Sequence, residues 1–145
     1  MIAYLDSSAL VKLYTRESGS EKTLAFVGRA DVRGTGLIAR AEVATTFGKA
    51  VRLKALTRAE ARAALEAFRR QWPDLFHVDV NETVVAQADS LAWTYGLRGY
   101  DAVHLASALL WQQSISNPVT LATFDRQLWD AARLVGLEAW PETPE

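Results

Sequence analysis

The chain has 145 residues, half of them hydrophobic and 23% charged, with a net charge of −1. This is the composition of an ordinary globular domain with room for a substantial core, and the near-neutral balance excludes a strong overall pull toward nucleic acid or membrane. The absence of cysteine excludes disulfides, thiolate metal sites and cysteine nucleophiles.

The opening "MIAYLDSSAL" has no basic segment leading into an apolar run, so no secretory signal is expected. No apolar stretch nears the roughly 20 residues that cross a bilayer, which leaves a soluble cytoplasmic protein as the expectation. "IAYL" reads as a short buried strand that stops at Asp6. "SALVKLYTRE" carries Leu10, Val11 and Tyr14 at helical spacing, with Ser7 or Ser8 as its expected cap. "SEKTLAFVGRA" predicts a second short helix ending near Gly28. The glycine-punctuated start of "DVRGTGLIARAEVATTFGKAVRL" suits a strand, and Val43, Phe47 and Val51 then mark a helix face in steps of four.

"TRAEARAALEAFRRQW" opens with Thr57 and Glu60 in capping-box spacing and is ended by Pro73. "FHVDV" alternates Phe76, Val78 and Val80 against His77 and Asp79, as a strand does. Asn81 caps the next helix and Gly96 closes it. A helix from Tyr100 is apolar nearly all round, through Ala102, Val103, Leu105, Ala106, Ala108, Leu109, Leu110 and Trp111. After Pro118 come the strand "VTLAT", the helix "DRQLWDAARL" and the short strand "LEAW". Strands alternating with helices predict an α/β sandwich with a mostly parallel central sheet, as one domain over residues 1–140 with a flexible tail at 141–145. Trp72, Trp93, Trp111 and Trp129 lie in these helices, where core or dimer packing is expected of most of them.

In open parallel sheets, ligands bind beyond the carboxyl ends of the strands. Asp6 and Asp125 follow strands directly, Glu42 lies in the first turn of the helix after the second strand, and Asp101 lies in the first turn of the nearly all-apolar helix. Asp6 and Asp125 also suit helix caps, and Glu42 suits a first helical turn. Asp101 is harder to explain so simply, because a buried carboxylate is costly unless paired or bound to metal. If the fold gathers these acids, their mutual repulsion calls for protons or a hard divalent cation such as Mg²⁺ or Mn²⁺. The chemistry implied is metal-assisted phosphodiester hydrolysis.

Together, "YLDSSAL" at 4–10, "ARAEVATTF" at 39–47, "RGYDAVHLASAL" at 98–109 and "LATFDRQL" at 121–128 resemble the PIN-domain family, most closely its VapC-type toxin branch. The resemblance covers almost the whole chain, in order. It implies a three-layer α/β/α sandwich and an Mg²⁺- or Mn²⁺-dependent ribonuclease, with Asp6, Glu42, Asp101 and Asp125 as the catalytic and metal-binding acids. Ser7 and Thr123 match supporting hydroxyl positions. It further implies a VapB-type antitoxin that blocks the site, and a homodimer.

His104, three residues after Asp101, is a supporting group near the site or a packed core histidine. Lys49, Arg52, Lys54, Arg58, Arg62, Arg69 and Arg70, against Glu60 and Glu66, form a local basic excess that RNA could meet, or a solvated helical face. Arg16 and Arg98 are alternative phosphate contacts closer to the acids. A receiver domain would need a late lysine, and the chain has none after Lys54. A haloacid-dehalogenase-type phosphatase would need an acid where Ser8 stands. A PIN-like scaffold that binds RNA or protein without cutting is the alternative, as is a DNA-directed nuclease.

Overall fold

The computed structural model describes residues 1–144 and has five strands and seven α-helices. The strands are β1 (Ile2–Leu5), β2 (Val32–Gly36), β3 (Phe76–Val78), β4 (Val119–Ala122) and β5 (Glu138–Trp140). They form one all-parallel sheet in the order β3-β2-β1-β4-β5. The central pair, β1 and β4, is covered on both faces, which is why "IAYL" and "VTLA" lack polar alternation.

The helices are α1 (Ser7–Lys12), α2 (Ser20–Gly28), α3 (Ala39–Arg52), α4 (Arg58–Gln71), α5 (Glu82–Tyr95), α6 (Gly99–Ile115) and α7 (Arg126–Leu134). Side chains alternate across the sheet. Ala3 and Leu5 pack under Leu10, Phe26, Val43, Phe47 and Phe68 of α1–α4. Tyr4, Val119 and Leu121 pack under Val84, Leu105, Leu109 and Leu128 of α5–α7. Two cores on two faces make the three-layer α/β/α sandwich expected from the resemblance.

β2 is a poor strand by composition, since glycine weakens a strand interior. Its glycines answer to tertiary packing instead. A Cβ on Gly34 would stand 2.7 Å from the Trp111 ring, and one on Gly36 would stand 2.7 Å from Oη of Tyr4. The helix signals are local and hold as read. Thr57 and Glu60 form the reciprocal capping box, Asn81 accepts from the Val84 amide, and Gly96 closes α5.

Several details refine the sequence reading. Of the caps that the sequence offered for α1, Asp6 rather than Ser7 or Ser8 fills the place, because its carboxylate reaches the Ala9 amide. β3 stops at Val78, leaving Asp79 and Val80 outside, and its Phe76 is half exposed while stacking on Trp111 at 5.0 Å. Trp72, Trp111 and Trp129 are buried, in line with core packing for most of the tryptophans, and Trp93 stands 92% exposed. The tail expected from residue 141 is anchored at its start, where buried Pro141 accepts a hydrogen bond from Nε1 of Trp129 at 2.7 Å. Glu145 lies outside the described residues.

The chain leaves β1 toward β2 and β3 on one side, and β4 and β5 lie on the other. Connections therefore diverge at the β1–β4 boundary, where a crevice opens beyond the strand ends. The Asp6 amide donates to the Ala122 carbonyl at 3.1 Å, extending the β1–β4 ladder to the lip of that crevice.

Candidate active site at the strand ends

Asp6 is 3% exposed and serves as both cap and site residue. Its Oδ1 accepts from the Ala9 amide at 2.9 Å and the Ser8 hydroxyl at 2.7 Å, and its Oδ2 accepts from the Thr123 hydroxyl at 2.5 Å. Burial pushes its carboxyl above the usual range, although His104 and these donors oppose the rise. Thr123 in turn accepts from the Asp125 amide at 3.0 Å, and Ser8 accepts from the Phe124 amide at 2.9 Å. Two hydroxyls thus tie the end of β1 to the turn after β4.

Asp125 caps α7, accepting from the Leu128 amide at 2.9 Å through Oδ1. Its Oδ2 receives Nη2 of Arg98 at 3.2 Å, and the same guanidinium gives Nε to Oδ2 of Asp101 at 3.2 Å. The Asp101 carboxyl is raised by burial and by the Asp125 charge, with Arg98 acting the other way. Glu42, in the first turn of α3, receives Nε2 of His104 on Oε1 at 2.5 Å.

One pocket is lined by Asp6, Ser7, Ser8, Glu42, Arg98, Gly99, Tyr100, Asp101 and Asp125. All four sequence-identified acids are brought together there, with Ser7 and Arg98. Thr123 and His104 sit behind it as partners of Asp6 and Glu42. Arg16 is not gathered in: it lies exposed in the loop after α1, at a separate surface hollow with Glu17 and Glu21. Lys49 and Arg52 are also apart, on the last turns of α3, and Arg52 lines a groove against Arg58, Arg62 and Arg69 of α4.

The sequence reading missed Ser8, whose hydroxyl rather than that of Ser7 bonds Asp6. It also missed Tyr4, whose hydroxyl meets Nδ1 of His104 at 2.7 Å, and exposed Tyr100 on the pocket rim. The two-residue step from Asp6 to Ser8 was the one local signal available. The Tyr4–His104 pairing spans a hundred residues and has none.

The donor set suits a hard cation, being carboxylate and hydroxyl oxygen throughout. Among the described residues, no three Asp, Glu or His side chains converge closely enough to enclose a metal ion by themselves. The Arg98 guanidinium between Asp101 and Asp125 marks where the pocket already accepts positive charge.

Fold and site define a class: a parallel α/β sandwich with an acidic pocket at its strand-order switch. A PIN-domain model matches residues 3–134. Ribonuclease VapC49 of Mycobacterium tuberculosis (strain ATCC 25618 / H37Rv) is 35% identical over 141 residues, 97% of this chain and 95% of the relative. Ribonuclease VapC46 of the same organism is 34% identical over 134 residues, 92% of each. Among solved structures, VapBC2 from Rickettsia felis, bound to a DNA fragment from their promoter, matches 96% of this chain and 97% of its own, with a TM-score of 0.64 at 15% identity. The chain belongs to the PIN-domain family, in its VapC-type branch.

Proposed function

We propose that this protein is an Mg²⁺- or Mn²⁺-dependent endoribonuclease and the toxin of a VapBC-type toxin–antitoxin pair, acting in the cytoplasm. The observation that carries the reading is the pocket in which Asp6, Glu42, Asp101 and Asp125 meet, from four separate stretches of chain. The names of the relatives, ribonucleases over nearly their whole length, support it.

In this reading the acidic pocket holds the cation, directly or through the cation's own waters, and when bound it would activate water and offset charge on the phosphodiester. Asp6 is held rigid for that task by Thr123, Ser8 and the Ala9 amide. Ser7 lines the same wall. Arg98, 78% exposed in its side chain, turns from the acids to an RNA phosphate, and Lys49 and Arg52 on α3 extend the hold on the backbone.

The VapB-type antitoxin blocks the pocket by bringing a basic side chain to the acids. That Asp101 and Asp125 share the chain's own guanidinium supports this mode. A homodimer completes the reading, with exposed Trp93 and Val85 on α5 as apolar surface for it to cover.

Asp101→Asn, with its fold intact by circular dichroism, is expected to abolish metal-dependent cleavage of single-stranded RNA. Wild-type-like cutting by that variant removes the assignment. The wild type cutting a DNA of the same sequence equally well makes it a general nuclease, and RNA binding without cutting in any metal makes it a scaffold.

A further inference from the structure

Behind the acids runs a polar chain that the mechanism above does not use. Tyr4 is fully buried and His104 is 1% exposed, both inside the apolar layer between the sheet and α6. Their side chains meet at 2.7 Å, from Oη to Nδ1, with the rings edge to face at 5.8 Å. The far nitrogen of His104 reaches Oε1 of Glu42 at 2.5 Å. A carboxylate only accepts, so Nε2 carries the hydrogen, and in a neutral ring Nδ1 is then free to accept the Tyr4 hydroxyl hydrogen. Each donor from Tyr4 to Glu42 thus has its acceptor.

We infer that His104, oriented by Tyr4, is the positioning residue that fixes the Glu42 carboxylate for the cation of this pocket. The inference rests on the metal-nuclease reading and names what makes one of its ligands rigid. Glu42 projects from α3 and His104 from α6, on opposite faces of the sheet, so their bond closes over the sheet's carboxyl edge from one layer to the other. Without it, the Glu42 carboxylate in the first turn of α3 would lose the one side-chain hydrogen bond that fixes it among the described residues. With Oε1 committed to His104, Oε2 is left for the cation.

Packing alone does not call for this pair. The neighbouring buried positions of α6 are Ala102, Leu105, Ala106, Ser107, Ala108 and Leu109, apolar but for one hydroxyl, and burying a phenol hydroxyl and an imidazole among them costs free energy unless both are bonded. Room is also reserved for it. At Gly36 a Cβ would fall 2.7 Å from the Tyr4 hydroxyl and 3.5 Å from Nδ1 of His104. Groups that orient metal ligands in this way commonly carry 10–100-fold of metal affinity.

The test is Mn²⁺ affinity, read from the electron paramagnetic resonance signal of free Mn²⁺, with the full chain and no RNA. Glu42→Gln, His104→Asn, His104→Gln and Tyr4→Phe are compared with wild type. His104→Asn keeps an amide near Tyr4 but is too short for Glu42, and it is expected to weaken Mn²⁺ binding about 10–100-fold. His104→Gln reaches Glu42 with its Nε2 and is expected to recover affinity to within about threefold, and Tyr4→Phe to lose roughly threefold to tenfold. Thermal melts in EDTA separate this from a packing role, in which affinity would follow stability and the two His104 variants would not differ. Wild-type Mn²⁺ binding by both His104→Asn and Tyr4→Phe, with Glu42→Gln impaired, overturns the inference and leaves the metal reading standing. Wild-type binding by Glu42→Gln overturns both. Should His104→Asn fail to fold, Tyr4→Phe decides, since it removes one oxygen and little volume.

Discussion

Asp6 carries two roles that pull its chemistry in opposite directions. As the cap of α1 it gains from being ionised, with three donors around it, yet it lies almost wholly out of solvent. Burial wins, and the carboxyl rises above its ordinary range. The native state then holds its proton more tightly than the unfolded chain does. Stability falls as pH climbs from about 3.9, the ordinary value, through the raised one, by about 1.4 kcal/mol for each pH unit between them. Above that window the loss is complete. Asp6→Asn keeps an oxygen for the Ala9 amide and has no charge to bury. In EDTA it is expected to melt above wild type at pH 7–8, with the gap closing as pH falls toward about 4. A gap that does not change with pH would mean the charge of Asp6 is not what destabilises the free protein.

At the same scale, Gly36→Ala forces a methyl group onto the Tyr4 hydroxyl and is expected to cost about 1–3 kcal/mol in denaturant unfolding. An unchanged midpoint would show that Tyr4 has slack to move. The four acids were legible in the sequence because each stands where a strand or helix begins or ends, and those boundaries are written locally. Ser8, Tyr4 and the partner of His104 were not. Tyr4 reads as one more apolar residue in "IAYL", and only the stacking of α6 on the sheet gives its hydroxyl a neighbour.

Among the elements, three signals carried by caps survived intact: Thr57 with Glu60, Asn81, and Gly96. Those that depended on neighbours did not. The alternation in "FHVDV" promised a longer strand, but β3 is an edge strand paired over Gly34 to Gly36 alone, so nothing holds Asp79 and Val80 in the ladder. The basic stretch from Lys49 to Arg70 resolves into two helices, with Arg52, Arg58, Arg62 and Arg69 bordering a groove floored by Phe47, Val51 and Leu65. If RNA runs there, reversing Arg62 and Arg69 to Glu weakens binding across all sequences and flattens its salt dependence. The slope falls by roughly 0.7 for each single-strand phosphate that is no longer neutralised. Unchanged binding and slope would leave Arg98 and the pocket rim as the surface that meets RNA.

For the molecule as a whole, the order of strands matters more than any one of them. Placing β1 beside β4 puts Asp6 next to Thr123 and Asp125, residues over a hundred positions away, and leaves the helices carrying Glu42 and Asp101 to close the pocket from opposite faces. The alternating pattern predicted a parallel sheet but not this order, because neighbouring strands are chosen by packing between layers. The central claim is that the acids so assembled cut RNA with a divalent cation. Its most direct test is to incubate wild type and Asp6→Asn with total cellular RNA in Mg²⁺, in Mn²⁺ and in EDTA, and to map the ends. Discrete cuts by wild type, absent in EDTA and absent with Asp6→Asn, are the predicted result. Equal cutting by the variant, or no cutting by wild type in either metal, would contradict it.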